Sequence, residues 1–486
     1  MKNPFGEFGF FVTKTNYLRK DKDMTILADN LIDDFKAQIR GEVVLPADPS
    51  YDEVRQIWNA MIDRRPGMIV RCAGVGDVMQ SVNLARDHNL LLAVRGGGHN
   101  IAGNAVCDDG LMIDLSQMKS VRIDPEKRRA YVEPGVCLGD FDHEAQAFGL
   151  VTPLGINSTT GVAGLTLGGG FGWLSRKYGL TVDNLVSADM VTAEGQLVHA
   201  NETENPDLFW GLRGGGGNFG IVTLFEFELH QVGPEILAGL IVFPADQAPH
   251  VLSKYRDYVA TIPDEMNIWV VLRKAPPLPF LPEEVHGREV VVLAVFYAGD
   301  EQAGQALIEP LRGFGTPHGE HVGVMPYTAW EQAFDPLLTP GARNYWKSHN
   351  FSEMTNEALE TIIDYAGKLP SDQTEIFIGL LGGQTSRIAD DATAYAQRAA
   401  QFVLNVHARW EAAADDQRCI AWAREFFDAS APYATGGVYI NFMTEEEGDR
   451  IAAAYGPGFP RLVQLKEKYD PGNLFRLNQN IKPKDL

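Results

Sequence analysis

Three glycine-rich segments contain the residues best suited to chemistry: RGGGHN (95–100), GVAGLTLGGGFG (161–172) and LRGGGGNFG (212–220). Consecutive glycines let backbone N–H groups converge on an anion, because no Cβ atom blocks the approach and positive φ is freely available. A diphosphate is the usual ligand of such loops. His99 follows the first three glycines directly and adds a nucleophilic imidazole to the predicted anion site. Tight turns alone also need glycine, but three such segments in one chain favour a ligand.

Gly215, Gly217 and Gly220 of the third segment match the dinucleotide fingerprint GxGxxG. That fingerprint requires a strand before it and a helix after it. Here the sequence of 205–232 predicts a helical turn, the glycine loop and then a β-branched, aromatic strand. The segment is therefore not a Rossmann site. The chain also lacks a Walker A loop, an HExxH motif and a GxSxG elbow, and we predict no metal site.

The residues before the first glycine segment, 68–95, predict a βαβ unit, with strands at MIVRC and LLLAV and a helix between them. Asp77 is a plausible N-cap for that helix, which has a core-facing stripe of Val78, Val82 and Ala85. Residues 189–200 predict a hairpin that turns at Ala193-Glu194-Gly195.

The chain has 486 residues, too many for one hydrophobic core. After about residue 233, proline-rich segments, a long strand at 289–299 and helical stretches at 353–368 and 389–413 predict a second domain, an antiparallel sheet covered by helices. We predict an α+β fold with four parts, namely an N-terminal tail (1–23, with Met24 as a possible alternative start), a first domain (24–235), the second domain (236–430) and a C-terminal segment that rejoins the first domain (431–486).

The composition restricts the kinds of partner that the protein is expected to bind. The net charge of −22 disfavours nucleic acid, because an acidic surface repels phosphates. The cysteines are widely spaced, which excludes a disulfide scaffold and a cysteine zinc site; they are Cys72, Cys107, Cys137 and Cys419. No secretory h-region and no run of 18 apolar residues occurs. We expect a soluble, cytoplasmic protein without a membrane partner; its oligomeric state is left open.

Longer motifs carry a family resemblance. Besides the glycine segments, the chain contains GLMIDLS, VEPG, PLG, GVAGLTLGGGFGWLSRKYGLTVDNL, DLFWGLRGGGGNFGIVT and a terminal YDPGN…NQNI. Together they resemble the berberine-bridge-enzyme-like FAD-linked oxidases of the vanillyl-alcohol-oxidase (PCMH-type) superfamily, over nearly the whole chain from about residue 50. The resemblance implies a two-domain protein whose FAD domain is built from both ends of the chain and whose substrate domain lies between them.

The resemblance also assigns residues. In the family the R(S/G)GGH loop holds the diphosphate and its histidine bonds to the flavin 8α-methyl carbon, so His99 is expected to attach FAD covalently. The remaining residues expected to bind the cofactor are Arg95, Gly96, Gly97, Gly98, Asn100, Pro153, Gly155, Thr159, Thr160, Gly161, Gly164, Leu165, Gly169, Gly220, Val222, Asn478 and Asn480, with Gln479 nearby.

The chain departs from the family pattern at several positions. Asn157 stands where many members have a cysteine that forms a second bond to the flavin, so a single covalent attachment through His99 is expected. Thr160 occupies the position that in the family lies beside flavin C4a and controls the access of O2. Its shape is close to that of the valine found in oxygen-reactive relatives, which favours an oxidase. Leu165 and Phe171 replace a histidine and a tyrosine of some members, and the second change removes a possible second catalytic phenol.

GGVYINF (436–442) resembles the family's Y-x-N motif and makes Tyr439 the catalytic candidate, as general base or substrate anchor. A phenol must have its pKa lowered from ~10 to act as a base at neutral pH. Read as a strand, the segment places Tyr439 and Asn441 on one face. A buried core tyrosine is the alternative.

The wall of the substrate pocket is expected to include Phe171, Asn441 and residues of RNYWKSHNF (343–351), namely Tyr345, Trp346 and Lys347, although an ordinary strand explains that segment as well. We expect oxidation of an alcohol, phenolic or amine-type C–H bond in a small molecule, with O2 as the acceptor and H2O2 as a product. A flavin dehydrogenase with another acceptor and a catalytically silent flavoprotein are the alternatives.

Overall fold

The computed structural model describes residues 28–484, so the predicted N-terminal tail lies outside the described residues. The protein has an α+β fold with three main sheets. The first is a four-stranded sheet in the order β1 (Glu42–Val44), β2 (Met68–Arg71), β4 (Leu111–Asp114) and β3 (Leu92–Arg95). Strands β2 and β3 are both parallel to β4, which lies between them. The predicted βαβ unit is therefore present, with a third strand inserted at its centre.

The helix of this unit, α3, spans Val75–Asp87 and has Gly74 as its N-cap. The predicted N-cap at Asp77 is wrong, because Asp77 lies inside the first turn. Its carboxylate instead accepts hydrogen bonds from the backbone N–H groups of Ala73, Arg40 and Gly41 at 2.9–3.0 Å. Asp77 therefore stabilises the loops before the helix and does not cap its own helix.

The second sheet is antiparallel and has five strands in the order β5 (Val121–Asp124), β6 (Arg129–Val132), β10 (Gly220–Glu228), β8 (Leu185–Thr192) and β9 (Leu197–Ala200). Strands β8 and β9 form the predicted hairpin, in which Gly195 adopts a φ of +70°. Strands β7 (Leu150–Val151) and β11 (His230–Gln231) form a separate two-stranded antiparallel sheet. The glycine segment before β10 follows helix α7 (Pro206–Leu212), as expected for a loop that is not a Rossmann turn.

The third sheet has seven antiparallel strands in the order β15 (Gly319–Pro326), β12 (Glu235–Pro244), β14 (Glu289–Tyr297), β13 (Met266–Lys274), β17 (Glu375–Leu380), β18 (Phe402–Trp410) and β16 (Arg343–Phe351). The predicted helix at 389–413 is wrong, because β18 occupies its second half. Every residue of β18 is buried, and its polar residues Asn405, His407 and Arg409 alternate with apolar ones, which is the pattern of a strand and not of a helix. The predicted strand over 436–442 is also wrong, because Ile440–Phe442 forms a 3-10 turn.

Helices pack around these sheets. Those associated with the third sheet include α8 (Ala248–Val259), α9 (Glu301–Arg312), α11 (Asn356–Ala366) and α13 (Asp416–Ser430). The others are α1 (Asp29–Lys36), α2 (Tyr51–Val54), α4 (Leu138–Gln146), α5 (Val162–Leu167), α6 (Ser175–Tyr178), α10 (Tyr327–Glu331), α12 (Gln384–Arg387), α14 (Ile451–Tyr455) and α15 (Phe459–Tyr469). Within residues 28–484, no helix is long and apolar enough to cross a membrane.

A buried ion pair holds the C-terminal segment against the third glycine loop. The Lys466 ammonium lies 2.6 Å from Asp470 Oδ2 and donates to the backbone oxygens of Asn218 and Phe475 at 2.9 and 2.8 Å. Both charged side chains are 0% exposed. All three ammonium protons are thereby used, which offsets the cost of burying the charge.

We expect Lys466→Met to lower the free energy of unfolding by about 3–5 kcal/mol, because it leaves the Asp470 carboxylate buried without its cation. Lys468→Met is the matched control, since the Lys468–Asp207 pair on the same helix is largely exposed and is worth at most ~1 kcal/mol. Denaturant unfolding of both variants measures the difference. Equal losses would contradict the role given to the buried pair.

Candidate active site

A cavity of about 330 Å³ lies between the glycine loops and the seven-stranded sheet. Its lining combines residues from three distant parts of the chain. The expected site residues that line it are Gly96, Gly97, Gly98, His99, Asn100, Gly155, Thr160, Gly161, Gly164, Leu165, Phe171, Gly220, Val222, Tyr439, Asn441 and Asn478. Backbone-rich loops thus form one wall and aromatic side chains much of the other.

The first two glycine loops touch backbone to backbone. A Cβ atom on Gly97 would lie 2.3 Å from the amide nitrogen of Gly161, and a Cβ atom on Gly161 would lie 2.3 Å from that of Gly97. Arg95 fixes the start of the first loop, because its guanidinium pairs with Asp114 at 2.6 Å at the ends of β3 and β4. Arg95 therefore positions the loop and does not line the cavity.

The cavity has the polar atoms that a dinucleotide cofactor needs. The Asn478 amide nitrogen donates to the backbone oxygens of Gly217 and Phe475 at 3.1 and 3.0 Å. Its Oδ1 atom is buried and has no hydrogen-bond partner in the protein. A Cβ atom on Gly164 or Gly217 would meet nothing within 4 Å. Open space beside glycine backbone, together with an unpartnered acceptor, fits bound FAD.

His99 is oriented by a chain of hydrogen bonds. Asn157 Oδ1 accepts from the backbone N–H and the hydroxyl of Thr159, at 3.0 and 2.7 Å. Because the Thr159 hydroxyl proton is used there, its oxygen accepts from His99 Nε2, 3.0 Å away. Nε2 therefore carries the proton and Nδ1 keeps a free lone pair. Burial lowers the pKa of His99 to about 4, so the ring is neutral at pH 7.

Tyr439 lines the cavity next to the second glycine segment. Its hydroxyl oxygen accepts two hydrogen bonds, from the Gly170 N–H at 3.1 Å and from Asn441 Nδ2 at 2.9 Å. Burial nevertheless raises its pKa to about 12. The phenol is therefore protonated at neutral pH, and its own proton is free to be donated. The 3-10 turn, rather than the predicted strand, brings Asn441 back to this hydroxyl.

The sheet side of the cavity has an aromatic and polar wall, of which the sequence predicts only Phe171 and Trp346. Phe171 and Phe442 pack against the Tyr439 ring with centroids 5.0 and 4.9 Å away. The wall continues into the sheet through Trp269, Phe377, Trp346, Glu375, Asn405 and His407. Polar residues two apart in a strand, such as Asn405 and His407, could have revealed it had this segment been read as a strand.

Comparisons with known proteins agree with this geometry. A family model described as an FAD binding domain matches residues 66–201, and one described as berberine and berberine like matches residues 438–482. An FAD-linked oxidoreductase of Dictyostelium discoideum is 32% identical over 461 residues, covering 94% of this chain and 98% of that protein. The (R)-6-hydroxynicotine oxidase of Paenarthrobacter nicotinovorans is 34% identical over 460 residues, covering 92% and 97%.

The chain belongs to the berberine-bridge-enzyme-like FAD-linked oxidoreductases. Among solved structures, the 6-hydroxy-D-nicotine oxidase of Arthrobacter nicotinovorans aligns with a TM-score of 0.83 at 30% identity, covering 92% of this chain and 98% of that one. The protein is thus an oxidoreductase with FAD as its cofactor and an α+β fold of the PCMH type, as the resemblance predicted.

Some expected site residues of this berberine-bridge-enzyme-like protein lie outside the cavity lining. Tyr345 and Lys347 point to the opposite face of β16 from Trp346, which does line the cavity. The Tyr345 hydroxyl contacts Glu446, and Lys347 lies 3.0 Å from the same carboxylate. These two side chains connect the sheet to the C-terminal segment. The other expected cofactor residues behind the lining are Arg95, Pro153, Thr159, Gly169 and Asn480.

We expect Gly97→Ala to weaken FAD binding at least about tenfold, the equivalent of ~1.4 kcal/mol, because the added methyl group would separate the two loops. Gly76→Ala is the matched control, since a Cβ atom there meets nothing within 4 Å and alanine suits its helix. The ratio of flavin to protein absorbance in the purified variants measures retention. Full flavin content in Gly97→Ala would contradict the close approach.

Proposed function

We propose that this protein is an oxidase that carries FAD on His99 alone and oxidises an alcohol, phenolic or amine-type C–H bond of an aromatic small molecule. The observation that carries the proposal is that one cavity is lined by both His99 and Tyr439 and walled by Phe171, Trp269 and Trp346. Aromatic rings suit a planar substrate. The hydroxynicotine oxidase relative, by its name, acts on an aromatic amine-type compound, which supports the same class here.

The hydrogen-bond chain from Asn157 supports attachment through His99 Nδ1. That nitrogen has the free lone pair, and the ring is neutral, as a nucleophile must be. His99 Nδ1 would hold the flavin through its 8α carbon, and formation of that bond would release two protons and two electrons, with O2 as the electron acceptor. Asn157 cannot form the second bond that a cysteine would, so one attachment is expected. Thr159 and Asn157 are positioning residues in this scheme.

Bound FAD supplies a two-electron acceptor that O2 can regenerate, releasing H2O2. The protein's own residues bind and orient the substrate. Tyr439 keeps its proton and donates a hydrogen bond to a substrate oxygen or nitrogen, which makes it an anchor rather than a general base. Thr160 lines the cavity next to Gly161, and its small side chain supports access of O2.

Acid precipitation followed by mass spectrometry tests the attachment. We expect flavin on the peptide that contains His99 and on no other peptide. Thr159→Val should slow covalent incorporation about tenfold, ~1.4 kcal/mol in the barrier, because it removes the acceptor that selects the tautomer. Ser158→Ala is the matched control, since that hydroxyl contacts Asp335 instead. Flavin released from the wild-type protein by acid would overturn the proposal.

A peroxide-coupled screen over sugars, alkaloids, polyketides and phenolics tests the activity. We expect peroxide from aromatic alcohols or amines, and Tyr439→Phe should slow flavin reduction by about 10–100-fold, the cost of one hydrogen bond made to the reacting group, without loss of bound FAD. Flavin that is reduced by substrate but not reoxidised in air would instead indicate a dehydrogenase. Unchanged reduction kinetics in Tyr439→Phe would remove the residue from the mechanism.

A further inference from the structure

Trp58 stacks on His99, the residue to which the cofactor is expected to be attached, and has no role in the function proposed above. The centroids of the indole and imidazole rings are 5.0 Å apart, and the two ring planes are inclined by only 21°. Both residues line the cavity, although Trp58 is only 4% exposed. An indole that lies flat on a reactive ring restrains the orientation of that ring.

The plane of the His99 ring decides where its free lone pair points, because the lone pair of an imidazole nitrogen lies in the ring plane. The hydrogen bond from Nε2 to Thr159 Oγ1, 3.0 Å long, restrains one atom of the ring. With that restraint alone, the ring could still turn about the contact. A stacked partner opposes this turn, since the turn would separate the two ring faces. Two restraints of different kinds therefore act on His99.

Trp58 is itself held from two sides. Its backbone N–H donates to the Gly98 oxygen at 3.1 Å, which connects it to the first glycine loop. Its indole Nε1 donates to the Leu338 backbone oxygen at 3.0 Å, and its own backbone oxygen accepts from the Gly341 N–H at 3.2 Å. Leu338 and Gly341 belong to the segment that leads into β16. With its backbone and its ring nitrogen both bound, Trp58 has little freedom to leave the stack.

Arg409 on β18 adds a cation to the same indole. Its guanidinium carbon lies 5.4 Å from the centroid of the Trp58 ring, and Nη2 donates to the Thr339 backbone oxygen at 2.7 Å. Arg409 is 2% exposed, and its Nε and Nη1 atoms have no hydrogen-bond partner among residues 28–484. A buried guanidinium that lacks acceptors is stabilised by the face of an aromatic ring. Arg409 therefore favours the observed position of Trp58.

We propose that Trp58 is a positioning residue for flavin attachment, because it fixes the plane of the His99 ring and with it the direction of the Nδ1 lone pair. The role of Trp58 rests on the proposed attachment through His99. In that attachment the Nδ1–C bond forms, the 8α carbon loses a proton from a C–H bond, and the ring loses its Nε2 proton. The two electrons released pass to O2, which takes up the two protons and becomes H2O2.

Bond formation depends strongly on the alignment of the attacking atom. A His99 ring that is free to tilt therefore reacts more slowly, although the loops that bind FAD are unchanged. The contacts of Trp58 with Leu338, Gly341 and Arg409 also make attachment depend on the part of the chain that forms the seven-stranded sheet.

The full chain, produced in riboflavin-limited cells and then mixed with excess FAD, tests this role by two measurements. Gel filtration gives the total bound flavin, and acid precipitation at successive times gives the fraction that is covalently attached. In Trp58→Leu we expect the wild-type amount of bound flavin but attachment at least about tenfold slower, because a misdirected nucleophile loses the advantage of orientation. Trp58→Phe should come within about threefold of the wild-type rate, since a phenyl ring keeps a plane for stacking.

Trp422→Leu is the matched control for the loss of a buried indole. Trp422 is 7% exposed, and its Nε1 also donates to a backbone oxygen, that of Tyr365, at 3.3 Å. It lies on α13 and does not line the cavity. We expect this variant to attach flavin at the wild-type rate.

Four outcomes would contradict the role of Trp58 while leaving the attachment itself intact. They are a wild-type rate in Trp58→Leu, loss of FAD binding in Trp58→Leu, equal slowing in Trp58→Leu and Trp422→Leu, and a Trp58→Phe variant as slow as Trp58→Leu. The last would show that the hydrogen bond to Leu338, and not the ring plane, is what matters. Failure of the proposed attachment is seen separately, since acid would then release the flavin from the wild-type protein, and the role of Trp58 would fall with it.

Discussion

The contact between the backbones of Gly97 and Gly161 is the constraint on which the site depends. At this distance neither residue can carry a side chain, so the backbones of two segments more than 60 residues apart pack directly against each other. The contact sets His99, two residues after Gly97, beside Thr159, two residues before Gly161. The hydrogen bond that selects the histidine tautomer is thus a direct consequence of the glycine contact.

The two walls of the cavity differ in physical character, and each suits a different task. The loop wall is mostly backbone, whose N–H groups can face an anion without the entropy cost of ordering long side chains. The sheet wall has rigid side chains on paired strands, where register fixes their spacing. The loop wall is therefore suited to binding the cofactor, and the sheet wall is suited to aligning the substrate.

Much of this organisation could be predicted from the sequence. Local sequence patterns were enough to predict the glycine segments, the family and the cofactor. They also predicted the hairpin at β8 and β9 and the antiparallel character of the third sheet. Strand β18 was missed although Asn405, His407 and Arg409 alternate with apolar residues, because the alanine-rich segment directly before it (389–401) favours a helix. The turn at Ile440–Phe442 was missed because VYINF alternates like a strand, while its geometry is decided by contacts with Gly170 and Asn441.

Apart from Trp346, the side chains of the sheet wall could not be predicted from the sequence, because their arrangement depends on contacts between distant strands. Glu375 and His407 are 32 residues apart, and nothing local in either strand indicates that Arg273 from a third strand keeps the carboxylate ionised. The position of the ring proton of His407 depends on this arrangement and not on the residues next to it in the sequence. Without Glu375 the Nδ1 atom would have no acceptor. The same reasoning applies to His99, where Asn157 acts through Thr159. In both cases a neighbour fixes which nitrogen of the histidine keeps the proton.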